Sequence, residues 1–120
     1  MKILVVDDSK AMRMIVKRTL KQTDLAKSEI VEAENGLEAL EQVSAEEPGL
    51  ILCDWNMPEM SGIEFLQKLR ASGSTVTFGF ITTESSAEAE SLAMESGAQF
   101  IIKKPFNADA LNQALTAHVS

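Results

Sequence analysis

The sequence predicts an α/β domain, a five-stranded parallel sheet flanked by five helices in a three-layer sandwich. Two observations predict it. Five short aliphatic runs alternate with five segments whose apolar residues recur at helical spacing. Polar groups of matching chemistry also stand at the ends of the runs, as expected where a parallel sheet gathers its site at the carboxyl ends of its strands.

The strand candidates are Ile3–Val6, Glu29–Ala33, Leu50–Cys53, Thr77–Thr82 and Gln99–Lys103. Their β-branched and aliphatic character suits strands covered on both faces. Between them, Met12, Ile15, Val16, Thr19 and Leu20 form the stripe of the first helix. Leu37, Leu40 and Val43 line the second helix, and Ile63, Leu66 and Leu69 the third. Leu111, Leu115 and Val119 line the last helix, with Asn107 as its N-cap, and the helix is expected to end at Ser120. The fourth helix, near Ser86 to Ser96, has only Leu92 and Met94 as large apolar residues. Little buried area means weak anchoring, so this helix is the candidate for movement.

One domain spanning 1–120 fits a chain of 120 residues that is 45% apolar and 24% charged. A formal net charge of −7 argues against direct binding to nucleic acid or anionic membrane. Cys53 is the only cysteine, which excludes an internal disulfide and a cysteine-pair zinc site. The opening apolar run is too short for a signal peptide and ends in acid, and no stretch approaches a membrane span. A cytoplasmic protein is expected. The glycines at 36, 49, 62, 73, 79 and 97 form no dinucleotide- or nucleotide-binding loop.

The chemistry lies at the carboxyl ends of four of the five strands. The first ends at Asp7 and Asp8, the third at Asp54, the fourth at Thr82 and the fifth at Lys104. Three carboxylates at about 4–5 Å and an effective dielectric near 20 repel by roughly 3–4 kcal/mol per pair. A hard divalent cation relieves this, and oxygen ligands suit Mg²⁺, which is commonly completed by water and phosphate. An aspartate can then act as a covalent nucleophile toward phosphorus, with the metal and a lysine ammonium offsetting charge on the transferred group.

The D-D after the first strand, D-W-N-M-P-E-M-S-G from Asp54, Thr82–Thr83–Glu84 and K-P-F at 104–106 together resemble bacterial response-regulator receiver domains, most closely the single-domain chemotaxis type. The M-R-x-I-V pattern at Met12 to Val16 extends the likeness, which covers essentially the whole chain. The resemblance implies the strand order 2-1-3-4-5. It implies Asp54 as phosphoacceptor, Asp8 as a direct metal ligand, Asp7 acting through water, and Asn56 offering its backbone carbonyl. Thr82 matches the switch hydroxyl. Lys104 matches the phosphate-pairing lysine, before a cis bond to Pro105. Asn56 and Glu84 occupy the positions that tune hydrolysis, a pairing that implies a short-lived phosphorylated state.

The partners implied are a sensor histidine kinase as phosphodonor and a downstream protein docking on the fourth helix, fifth strand and fifth helix. A monomeric binding switch is expected, not an enzyme, with output through another protein and not through DNA. Phosphorylation is expected to reshape the Thr82-to-Glu88 segment and the fourth helix. The likeness departs at one position. The family's switch aromatic lies three residues before the lysine, where Ile101 stands, with Phe100 one residue earlier. Coupling of Thr82 to the partner surface is therefore weakened or uses another residue.

Simpler readings accompany these. Asp7 and Asp8 could be an N-cap pair for the first helix. Lys10, Arg13, Lys17, Arg18 and Lys21 read first as a solvated helix face, and second as a docking surface for an acidic partner. Trp55 and Cys53 read as packing residues, and the lone His118 as a surface residue. An aspartyl-phosphate hydrolase would need an acid where Asn56 stands, and Asp7 and Asp8 would repel a flavin phosphate. A phosphorelay intermediate and a phosphorylation-independent adaptor remain as alternatives.

Overall fold

The computed structural model describes residues 1–84 and 86–119. Ser85, inside the 82–88 segment expected to reshape, and Ser120, the expected end of the last helix, lie outside the described residues. Five strands, β1 (Lys2–Val6), β2 (Glu29–Ala33), β3 (Leu50–Cys53), β4 (Thr77–Thr82) and β5 (Phe100–Lys103), alternate with five helices. These are α1 (Lys10–Leu20), α2 (Gly36–Ala45), α3 (Gly62–Ala71), α4 (Ala87–Glu95) and α5 (Ala108–His118). All strand pairs are parallel, in the order β2-β1-β3-β4-β5.

Period-two alternation along each strand sends successive side chains to opposite faces. Leu4, Val6, Ile51, Cys53, Phe78 and Phe80 face Ala39 of α2, Phe65, Leu66 and Leu69 of α3, and Ala93 of α4. Ile3, Val5, Leu50, Leu52, Phe100 and Ile102 face Val16 and Leu20 of α1 and Leu111 and Leu115 of α5. The sheet is thus covered by three helices on one side and two on the other. Gly79 of β4 makes room for this packing, because a Cβ there would overlap the Phe100 ring.

Each helix start is held by a side-chain cap: Ser9, Asn35, Ser61, Ser86 and Asn107 each accept a backbone N–H of the first turn. Ser9, not the Asp7–Asp8 pair, is the N-cap of α1, which corrects the simpler reading of those acids. Two apolar stripes are narrower than the spacing predicts. Ile15 and Leu37 are each 46% exposed, and the small Ala39 takes the core position of α2. In α4 the two large apolar residues also face out, Leu92 at 39% and Met94 at 50% exposed, while Ala93 is buried.

Strand ends shift by one residue. β1 begins at Lys2. β5 begins at Phe100 because the Gln99 side-chain oxygen, not a strand carbonyl, accepts the Phe78 N–H at 2.7 Å. Helix α5 ends at His118 and Val119 is its C-cap, still packed on the core. Among the described residues, no helix is long and apolar enough to cross a membrane.

Candidate functional site

Register alone brings the strand ends together. Val6 pairs with Cys53 and Cys53 with Phe80, so Asp7 and Asp54 leave the sheet side by side and Thr82 stands on the next strand. Thr82 pairs with Lys103, which sets Lys104 at the same rim. β1 lies between β2 and β3, so the connections on its two sides diverge above Asp7, where α/β sheets form their crevice.

Two hydrogen bonds fix the backbone there: the Asp54 N–H donates to the Val6 carbonyl at 2.9 Å and the Lys104 N–H to the Thr82 carbonyl at 2.9 Å. Gly62, at the start of α3, allows a further close approach. A Cβ at this position would overlap the Asp54 carbonyl oxygen. Its N–H donates to the Trp55 carbonyl at 2.8 Å, clamping α3 to the loop that carries Asp54.

Carboxylate oxygens of Asp7, Asp8 and Asp54 lie within 4.8 Å of one another. Asp7 is buried, Asp54 half-buried and Asp8 exposed, so the cluster opens to solvent on the Asp8 side. Lys104 Nζ stands 3.2 Å from Asp7 Oδ2 and 3.6 Å from Asp54 Oδ2. Asp54 Oδ1 accepts the Trp55 N–H at 2.8 Å. Burial raises the proton affinity of the Asp54 carboxyl above its ordinary value, and the Asp7 charge adds to this. The Lys104 ammonium, the Trp55 N–H and the Thr82 hydroxyl oppose that rise without cancelling it.

Thr82 is 1% exposed and its hydroxyl accepts the Glu84 N–H at 3.1 Å, which ties the β4–α4 loop to the rim. Asn56 sits two residues beyond Asp54 in the β3–α3 connection and is exposed. The Lys104–Pro105 peptide is cis. An all-oxygen donor set of three converging carboxylates, one open to solvent, fits a hard divalent cation such as Mg²⁺.

Trp55 packs on Phe80 at a centroid distance of 4.9 Å, so its reading as a packing residue holds. Burial pushes the Cys53 thiol up, consistent with a buried small hydrophobe. Phe100 does not lie on the side of the sheet where the resemblance places an aromatic. It belongs to the α1–α5 core and stacks on His118 at 5.3 Å, while Ile101 joins the opposite core, under α2, α3 and α4.

Two residues of α1 depart from the solvated helix face that the sequence suggests. Arg13 and Lys17 both bind Glu32 of β2, and Arg13 also reaches the Asp7 backbone carbonyl. Lys17 and Arg13 hold the Glu32 carboxyl below the usual range against a smaller opposing effect of burial. The available signal was Glu32 itself, an acid inside a strand adjacent to β1 that needs a cationic partner.

The family model for the response regulator receiver domain matches residues 3–116. The chemotaxis protein CheY1 of Helicobacter pylori is 39% identical over 118 residues, covering 96% of this chain and 94% of that protein. The chemotaxis protein CheY homolog of Campylobacter jejuni is also 39% identical over 118 residues, covering 96% of this chain and 89% of its own length. Among solved structures, the chemotaxis protein CheY4 of Vibrio cholerae aligns with a TM-score of 0.88 at 33% identity, over 98% of each chain. With a matching model over nearly its whole length and relatives this similar from end to end, the chain belongs to the response regulator receiver domain family.

Proposed function

We propose that this chain is a phosphorylation-controlled binding switch whose phosphoacceptor is Asp54. The observation that carries this is the shared ammonium of Lys104, 3.2 Å from Asp7 and 3.6 Å from Asp54, above a cluster of three carboxylates. A cation-binding acid pocket with one amine beside it is built to receive a dianionic group.

The donor is a phosphohistidine on a sensor kinase. An Asp54 oxygen attacks phosphorus, the acyl-phosphate O–P bond forms, and the P–N bond breaks with its electron pair leaving on the imidazole. Asp7, Asp8 and Asp54, with the Asn56 backbone carbonyl, would hold Mg²⁺, which supplies charge compensation for the phosphoryl oxygens. Lys104 then turns from Asp7 toward the new anion. The Thr82 hydroxyl, which accepts the Glu84 N–H, donates its O–H to a phosphoryl oxygen, and by moving toward it pulls on the β4–α4 loop.

The output partner docks on α4, β5 and α5. Support comes from α4, which exposes Leu92 and Met94 and buries only Ala93. Helices so anchored shift at low cost. The relatives named as chemotaxis proteins support a role in chemotaxis or a related two-component pathway.

Incubation with acetyl phosphate and Mg²⁺ tests the acceptor. One acid-labile phosphoryl group should appear on the wild type and be absent from Asp54→Ala; an unchanged intact mass, or an equal shift in both, would refute it.

A second reading, an adaptor that binds independently of phosphate, is favoured by Ile101 where a switch aromatic is expected and by Phe100 facing the opposite side of the sheet. Equal partner capture by wild type and Asp54→Ala would select it.

A further inference from the structure

The guanidinium of Arg13 joins three elements beneath the acid cluster. From α1, its Nη1 donates to the Asp7 backbone carbonyl at 2.6 Å, and its Nε to Glu32 Oε1 on β2 at 2.9 Å. Lys17 Nζ holds the other oxygen of Glu32 at 3.0 Å. The Arg13 side chain is 12% exposed, far less than a solvated helix-face arginine would be.

The carbonyl it holds belongs to the peptide that links Asp7 to Asp8. β1 ends at Val6, so the sheet ladder no longer orients this peptide. The Asp7 N–H is tied to the Ala33 carbonyl at 3.1 Å, and Asp7 Oδ1 accepts the Ser9 N–H at 2.9 Å. Those bonds fix the peptide before Asp7 and the cap of α1. Arg13 fixes the peptide between the two acids, and the aim of the exposed Asp8 depends on it.

Carboxylates this close repel, and a free Asp7–Asp8 peptide would relax by swinging Asp8 toward solvent. A cation would then have to draw it back, at the expense of affinity. The anchoring explains the shape of the contact. A guanidinium presents donors in two directions from one rigid plane, one toward Glu32 and one toward Asp7, which an ammonium does not do.

We propose that Arg13 is a positioning residue for the divalent cation. Braced by Glu32, it holds the Asp7–Asp8 peptide so that both carboxylates face Asp54. This role rests on the acid cluster being the Mg²⁺ site.

The test is a Mg²⁺ titration monitored by the fluorescence of Trp55, the only tryptophan, whose backbone N–H donates to Asp54 Oδ1. Circular dichroism reports folding of each variant in parallel. R13Q should raise the Mg²⁺ Kd about tenfold, the lower end of what outer-sphere partners of metal ligands contribute. E32Q, which leaves the guanidinium in place but unbraced, should fall between R13Q and wild type. K17Q loses the other half of the Glu32 contact without touching Asp7, and should stay within about twofold of wild type.

A purely structural role would lower the thermal midpoints of R13Q and K17Q together and leave both Kd values unchanged. If R13Q does not fold, R13K is read in its place, because it keeps the charge and loses the two-way geometry. A folded R13Q or R13K that binds Mg²⁺ within about twofold of wild type overturns the positioning role alone. A wild type with no saturable response, or one matched by Asp8→Asn, overturns the metal site and the positioning role together.

Discussion

Lys104 stands nearer to Asp7 than to Asp54, 3.2 Å against 3.6 Å, so the ammonium that serves the site among the described residues leans mainly on the buried acid. Both partners are largely sequestered, with side-chain exposures of 13% and 6%. Removing the amine leaves buried carboxylates without compensation. Lys104→Met should therefore cost about 3–5 kcal/mol of stability in the absence of metal. Urea denaturation with and without Mg²⁺ checks this: the deficit should shrink when the cation is present. A variant as stable as wild type without metal would mean that the acids are relieved some other way.

Asp54→Asn should behave in the opposite sense. Because the folded-state proton affinity of Asp54 is raised, chiefly by burial, the native state binds more protons than the unfolded chain over the interval between the two pKa values. Stability contributed by Asp54 is thus greatest below the unfolded value and falls as pH rises through the folded one. The amide escapes this loss and gains about 1–2 kcal/mol over wild type at neutral pH without metal, the scale of a partly offset like-charge contact. Thermal melts across pH should show the two proteins converging on acidification.

Bound Mg²⁺ should reverse that ranking. A cation at a hundred times its Kd stabilises the protein that binds it by about 2.7 kcal/mol. The wild type should gain this increment and Asp54→Asn much less of it, as read by melts at rising Mg²⁺. An equal gain in both would place the bound cation away from Asp54.

Gly62→Ala tests the clamp between α3 and the loop that carries Asp54. The new methyl would run into the Asp54 carbonyl oxygen, and backbone cannot yield there without moving the strand end. The expected cost is about 2–3 kcal/mol, at the upper end for overpacking. Phosphoryl incorporation from acetyl phosphate should slow in whatever fraction remains folded. Normal incorporation in a stable variant would mean that α3 can retreat freely.

Phe100→Leu separates core from switch. The ring packs between Gly79 and the α1–α5 helices, so its loss should cost about 1–2 kcal/mol. The rate of phosphoryl incorporation on Asp54 should be unchanged, since Phe100 lies on the face away from Ile101. A stable but phosphorylation-defective Phe100→Leu would give this ring a part in the switch after all.

Much of the fold was legible because strands covered on both faces leave continuous aliphatic runs such as Leu50–Cys53, while the order β2-β1-β3-β4-β5 followed from the family resemblance and not from the runs. The small discrepancies have local causes. Gln99 replaces a strand carbonyl with its own side-chain amide, and Leu37 is exposed because it lies two residues from the buried Ala39, on the opposite side of α2. The gathering of the site's groups was legible through a single regularity, the polar residues at the ends of four of the five strands. Arg13 was not, because its partners, Asp7 just beyond β1 and Glu32 on β2, are far apart in the chain and only the β1–β2 register sets them side by side.

By itself the sequence determined which chemical groups this protein can gather: alternation of strand and helix forces Asp7, Asp8, Asp54, Thr82 and Lys104 to one rim, whatever the packing details. Tertiary structure alone decided how those groups are divided among themselves. Whether Lys104 leans on Asp7, whether Arg13 solvates or braces, and which face Phe100 takes all depend on distances of a few ångströms between elements far apart in the chain, and side-chain chemistry carries no record of such distances.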